Sequence, residues 1–150
     1  MSYEKFLENK LIKKIVPDFK QIAMQIRRAR KDLQTAEKVM ASDRTWSFTI
    51  TYHAMVRAGK ALMYAHGYLP TATRSHKTVV DFTGIVLGDE FDDLFRRFNR
   101  MRRRRHDFIY DALNNISETE VKSSIKTAKR FIDRAVQLIA EIHPQLRLSL

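Results

Sequence analysis

Residues 96–105 carry seven arginines and no acid, and the run closes as Arg102-Arg103-Arg104-Arg105 followed by His106-Asp107-Phe108-Ile109-Tyr110. Guanidinium groups, an imidazole and a phenol within about two helical turns supply a phosphate clamp, a titratable proton carrier and a hydroxyl donor. At about 100° per residue, Phe91, Leu94, Phe95, Phe98, Met101, Phe108, Ile109 and Ala112 gather into one apolar stripe. Arg96, Arg97, Arg100, Arg103 and Arg104 lie beside or opposite that stripe, as ordinary surface charges would. Arg102 and Arg105 fall inside it. Arg105 takes the place of an aliphatic side chain in the seam Phe98, Met101, Arg105, Phe108, Ala112.

A permanent charge in such a seam must be paired, hydrated or turned toward an interface, because burying it alone is very costly. Three arrangements meet that condition. The apolar face ends at Arg105, or the helix kinks there, and leaves it exposed. Alternatively, Arg105 forms a buried ion pair with an acid from another helix. In the third, it is held at a cleft or dimer seam to receive a phosphate. Many neighbouring arginines without matching acids favour the third. His106 and Tyr110 are four apart and therefore share a face beside Arg105.

The elements that must position these residues all read as helices. Residues 3–16 form a short amphipathic helix stopped by Pro17, which lacks the amide a helix interior needs. Residues 18–41 place Phe19, Ile22, Ala23, Ile26, Leu33 and Ala36 at helical spacing. Asp43 caps a helix over 44–66, whose apolar residues, from Trp46 and Phe48 to Leu62 and Met63, surround most of its circumference and make it the central helix. Gly67 and Pro70 end it. After the Thr/Ser loop 68–75, which carries Thr71, Thr73 and Arg74, comes a helix at about 76–87, with His76 at its start, broken by Gly88. The arginine helix spans 89–113 with an acidic first turn that suits the helix dipole. Ser117 to Glu120 is a capping-box pattern opening the last helix, which ends before Pro144. The expected fold is all-α: an antiparallel up-and-down bundle of four main helices plus short additional helices, in one domain over 1–150 with 1–17 as an N-terminal extension.

Composition sets the outer limits. A chain of 150 residues with 44% apolar content buries one core. The absence of cysteine excludes disulfides and thiolate metal sites and fits a reducing cytoplasm. No apolar run approaches the roughly 20 residues needed to cross a bilayer, and the N-terminus lacks the apolar segment of a secretory signal. A net charge of +11 points to a polyanionic partner. His53 and His66 show no metal-ligand arrangement with each other or with the acids, so no metal and no cofactor is expected. No glycine-rich phosphate loop is present.

Taken together, the residues resemble the HEPN family (higher eukaryotes and prokaryotes nucleotide-binding). The resemblance runs over about residues 26–140. It is carried by Ala29-Arg30-Lys31-Asp32-Leu33-Gln34-Thr35-Ala36, by Tyr52 to Leu62 with Gly67, Pro70 and Ser75-His76 after it, and by the family signature of an arginine, a polar residue, three further residues and a histidine. The resemblance implies a helical bundle that often dimerises with the signature facing its symmetry mate. Active members are metal-independent ribonucleases, commonly toxins paired with a nucleotidyltransferase-fold antitoxin; others bind RNA or nucleotides without cleaving.

In the ribonucleases the arginine stabilises the phosphate, and the histidine assists attack by the ribose 2′-hydroxyl. Reading Arg105 to Tyr110 as the signature puts His106 in the polar slot and Tyr110 in the histidine slot. Reading Arg100 to His106 satisfies a looser spacing but starts from an arginine off the apolar stripe, so the first alignment is preferred. A phenol with a pKa near 10 is a poor general base at neutral pH. It can still donate a hydrogen bond to phosphate, which leaves the base role to His106. The implied catalytic set is therefore Arg105, His106 and Tyr110. Arg100, Arg102, Arg103, Arg104 and Lys60 are the implied phosphate contacts. The implied partners are RNA or a nucleotide, a second copy of the chain, and a nucleotidyltransferase-fold antitoxin.

Overall fold

The computed structural model describes residues 3–111 and 115–150, and within them the chain is all-α. Its helices are α1 (Tyr3–Glu8), α2 (Phe19–Val39), α3 (Arg44–Ala65), α4 (Ser75–Leu87), α5 (Asp92–Tyr110) and α6 (Glu118–Ile142). A two-stranded ribbon, β1 (Ile12–Lys14) with β2 (Tyr68–Pro70), is antiparallel with Ile12 opposite Pro70.

Asp43 and Ser117 cap their helices as expected, and Asp18, read as the first residue of its helix, caps α2. Asp18 accepts from the Gln21 amide at 3.2 Å, Asp43 from Trp46 at 2.9 Å and Ser117 from Glu120 at 3.1 Å. Each satisfies one of the amides that a helix start leaves without an intrahelical acceptor. The chain after α3 turns on Gly67 at φ 83°, a left-handed conformation that costs a glycine little.

The N-terminal segment departs from the expected helix over 3–16. Helix α1 stops at Glu8, and Lys10 adopts a left-handed backbone at φ 55°. The next residues, Leu11 to Val16, are rich in β-branched side chains that suit an extended strand, and β2 offers backbone partners. The Ile15 amide donates to the Gly67 carbonyl at 2.9 Å, and the Thr71 amide to the Leu11 carbonyl at 2.9 Å. The Thr71 hydroxyl adds a hydrogen bond to the Lys10 carbonyl at 2.8 Å. Tertiary pairing therefore overrides the helical periodicity of this stretch.

Helix α3 is the hub, flanked by α2, α4, α5 and α6. Tyr52, Met55, Ala58, Ala61, Leu62 and Met63 are completely buried on it. The alanines and Gly59 let neighbours approach closely; a Cβ on Gly59 would lie 2.5 Å from Val79 Cγ1 of α4. Trp46, expected among the core residues, is 57% exposed, because it sits in the first turn of α3 beyond the packed layer. Between α2 and α3, the buried Asp32 carboxylate accepts from Arg28 and Arg57, each at 2.9 Å.

The arginine helix begins later than the sequence suggests. Asp89–Phe91 form one tight 3-10 turn after Gly88, and α5 proper starts at Asp92. Its end at Tyr110 falls short of the expected residue 113, and Ala112, counted in the apolar stripe, lies outside the described residues.

Candidate phosphate-binding cleft

The apolar stripe of α5 is buried only along its first half, through Leu94, Phe98 and Met101. Phe98 packs against Tyr52 of α3, with centroids 6.1 Å apart, and against Phe131 of α6 at 5.0 Å. One turn further on, the seam opens. Arg102 and Arg105 emerge where the next core side chains would stand, and they line a cleft of about 660 Å³ between α3, the start of α4 and α5. Tyr52 is part of its wall; Arg74, Ser75, His76, Lys77 and His106 complete the polar surround.

Among the described residues, no carboxylate lines this cleft. The Arg105 guanidinium carbon lies 5.8 Å from the Tyr52 ring centroid, within cation–π range. Its Nε is buried and has no hydrogen-bond partner among the described residues. The Arg102 Nε donates to Asn99 Oδ1 at 3.2 Å. Lys77 is tied to Asp81 one turn along α4. The start of α4 also faces this space. Arg74 precedes it in a left-handed conformation, φ 50° and ψ 38°, and no side chain caps the first-turn amides. Uncapped amides at a helix start favour an anion.

Tyr52 and His76 form the neutral part of the wall. The Tyr52 hydroxyl and His76 Nδ1 are 3.0 Å apart, and the His53 and His76 rings meet edge to face at 5.7 Å. Burial pushes the Tyr52 phenol up to about 12, against a smaller opposing pull from Arg105 and Arg102, so it stays protonated. Burial, then His53, Arg105, Lys60 and Arg102, pushes His76 down to about 4. His53 is lowered too, by burial first and then by Arg105 and Arg57. His66 is lowered by burial and by His143.

These depressed histidines make the fold sensitive to acid. The unfolded chain protonates its imidazoles near pH 6.5, whereas folded His76 does so only near about 4. Between those values the unfolded state binds more protons, so stability present above pH 6.5 is lost as pH falls. The urea midpoint should drop between pH 7 and pH 5, and His76→Gln should reduce the drop. An unchanged midpoint over that interval would contradict it.

The structure brings together only some of the residues singled out by sequence. Arg102, Arg105 and His106 line the cleft. Tyr110 does not. Its ring is 4.6 Å from that of His106, as their spacing requires, but it is 77% exposed at the end of α5. Arg104 turns to α6, where it donates to Glu120 at 2.9 Å and to the Asn115 carbonyl at 2.8 Å and covers the Phe108 ring. Arg100 faces a separate groove between α5 and α6, and Arg103 is exposed. Lys60 is half-buried on α3 and acts on His53 and His76 through its field, without lining the cleft.

Tyr52, Ala72, Arg74, Ser75, His76 and Lys77 are the cleft residues that sequence reasoning did not assign to a site. Tyr52 reads as core, and His76 as a helix start. Positions 52, 74–76 and 102–106 share no spacing rule, and only the packing of α3, α4 and α5 joins them. Among the described residues, no group of histidines and acids is arranged to hold a metal ion, and no helix is long and apolar enough to cross a membrane.

A helical bundle with a cationic cleft beside an arginine-rich helix defines the class of α-helical domain seen here. Residues 22–139 match the model of the HEPN domain, most of the chain, and the protein belongs to that family. No curated protein sequence matches it.

Proposed function

We propose that this HEPN protein binds RNA, with a backbone phosphate seated in the α3–α4–α5 cleft against Arg102 and Arg105. The observation that carries this reading is the buried, unpartnered Nε of Arg105 in a cleft without a carboxylate. A guanidinium in that position gains most from an ionised acceptor, since charge-assisted hydrogen bonds are roughly twice as strong as neutral ones. The net charge of +11 supplies long-range attraction for a polyanion.

Fluorescence anisotropy with labelled single-stranded RNA at several KCl concentrations tests the proposal. The logarithm of the binding constant should fall against the logarithm of salt with a slope of about −0.7 for each phosphate neutralised. Absent or salt-insensitive binding across RNAs of mixed sequence would refute it.

Cleavage is the second reading. Its support is the contact of His106 with Tyr110 beside Arg105. In that reaction the 2′-oxygen attacks phosphorus, the bond to the 5′-oxygen breaks, and a cyclic phosphate end remains. His106 takes the hydroxyl proton, and water protonates the departing 5′-oxygen. The exposed phenol in the histidine slot favours binding without cleavage. The same RNA incubated with protein in EDTA separates the two: cyclic-phosphate ends lost in Arg105→Ala establish cleavage, and intact RNA with retained binding establishes a binding module.

The functional assembly we infer is a homodimer. The Phe48–Phe108 edge contact brings the start of α3 beside the end of α5, where Trp46, Ile109 and Tyr110 are all exposed. Light scattering should give twice the monomer mass, and a monomer at all concentrations would exclude it.

A further inference from the structure

We infer that His76, held by Tyr52 with its proton on Nε2, is an uncharged hydrogen-bond donor to a phosphate oxygen in the cleft. The inference rests on the phosphate reading above and names a residue that no arginine-based signature contains.

Tyr52 is fully buried, and its hydroxyl has one hydrogen-bond partner, His76 Nδ1 at 3.0 Å. Two arrangements of protons fit that distance. If the imidazole donated from Nδ1, the phenol hydrogen would be buried with no acceptor, at a cost of about 1–3 kcal/mol. If the phenol donates to Nδ1, both groups are satisfied, and a neutral imidazole then carries its hydrogen on Nε2.

Nε2 has no partner among the described residues and is not enclosed, since Arg105 Nε and Arg134 Nε are the buried side-chain polar atoms left without one. His76 lines the same cleft as Arg102 and Arg105. The three side chains therefore offer donors to a common space that contains no carboxylate. Burial first, and then His53 and the surrounding cations, oppose protonation of the ring, so it contributes direction without adding a third full charge. Two guanidiniums attract any anion, while a fixed N–H selects one with an acceptor at a defined position, as a phosphoryl oxygen provides. Tyr52 is a positioning residue in this scheme, because it acts only through His76.

The test combines NMR with binding. Long-range nitrogen–proton spectra of uniformly 15N-labelled protein at pH 7 should show His76 as the Nε2–H tautomer, and titration with inorganic phosphate should shift that Nε2 signal. In anisotropy with single-stranded RNA, His76→Ala should weaken binding about tenfold, the loss of one hydrogen bond to a charged group. His76→Gln, which restores an N–H near the Nε2 position, should recover most of the affinity. Tyr52→Phe should move the ring nitrogens toward a mixture of tautomers and weaken binding a few-fold while the fold persists by circular dichroism.

A ring protonated on Nδ1, or doubly protonated, at pH 7 would overturn the inference. So would His76→Ala binding RNA like the parent while Arg105→Ala fails, a result that leaves the RNA reading standing. A phosphate-dependent Nε2 shift without RNA binding would support the inference and remove RNA as the ligand.

Discussion

Arg105→Ala is expected to weaken binding of single-stranded RNA by about 10–100-fold, the value of one charge-assisted hydrogen-bonding group at about 1.5–3 kcal/mol. The effect should be large because the side chain occupies a constrained place. Its guanidinium rests near the Tyr52 ring, and its Nε is already removed from water without a protein acceptor. The salt dependence should fall by about 0.7 in slope, one phosphate contact for a single strand. Arg105→Lys keeps the charge but loses the planar fork and should recover only part of the affinity. Arg103→Ala, at an exposed position on the same helix, is the control for general charge and should change affinity far less. Equal losses for Arg103 and Arg105 would reduce the cleft to undirected electrostatics.

The second large effect concerns the side chain beneath the cleft. Phe98→Ala is expected to destabilise the fold by about 3–5 kcal/mol, the range for deleting a buried aromatic side chain. Phe98 is fully buried and joins three helices, touching Tyr52 of α3 and Phe131 of α6 from α5. Helix α5 has only Leu94, Phe98 and Met101 completely committed to the core, so the cavity would undercut the arginine helix as well as the bundle. A urea titration would register this as a lower midpoint. Met24→Ala, at a residue 48% exposed on α2, should leave the midpoint nearly unchanged. A Phe98→Ala protein as stable as the parent would mean that α5 docks through other contacts.

The helical architecture was legible from sequence because its signals are local. Asp43, Gly67 and Ser117 each act within four residues, and the apolar periodicity of α2 and α6 matches their buried faces. The N-terminal ribbon was not legible, because residues 12–14 are strand only when 68–70 lie beside them. The site divides in the same way. Arg105 could be found as a charge in an apolar seam, a contradiction visible within one helix. Tyr52 could not, since a tyrosine in a hydrophobic helix looks like core until its hydroxyl meets His76 from 24 residues away. Arg104 shows the converse. Its sequence neighbours suggest a phosphate contact, yet its partner is Glu120 of α6.

The β1–β2 ribbon sets a limit on how this protein can be divided. The matched HEPN region begins at residue 22, but strand β1 and α1 precede it. Through β2 and the Thr71 hydrogen bonds to the Lys10 and Leu11 carbonyls, that preceding segment holds the base of the loop that delivers Arg74, Ser75 and His76. One rim of the cleft is thus anchored by residues the family pattern does not include. The structural unit extends beyond the matched region, and a chain trimmed to residues 22–139 would keep its arginines while losing the brace opposite them.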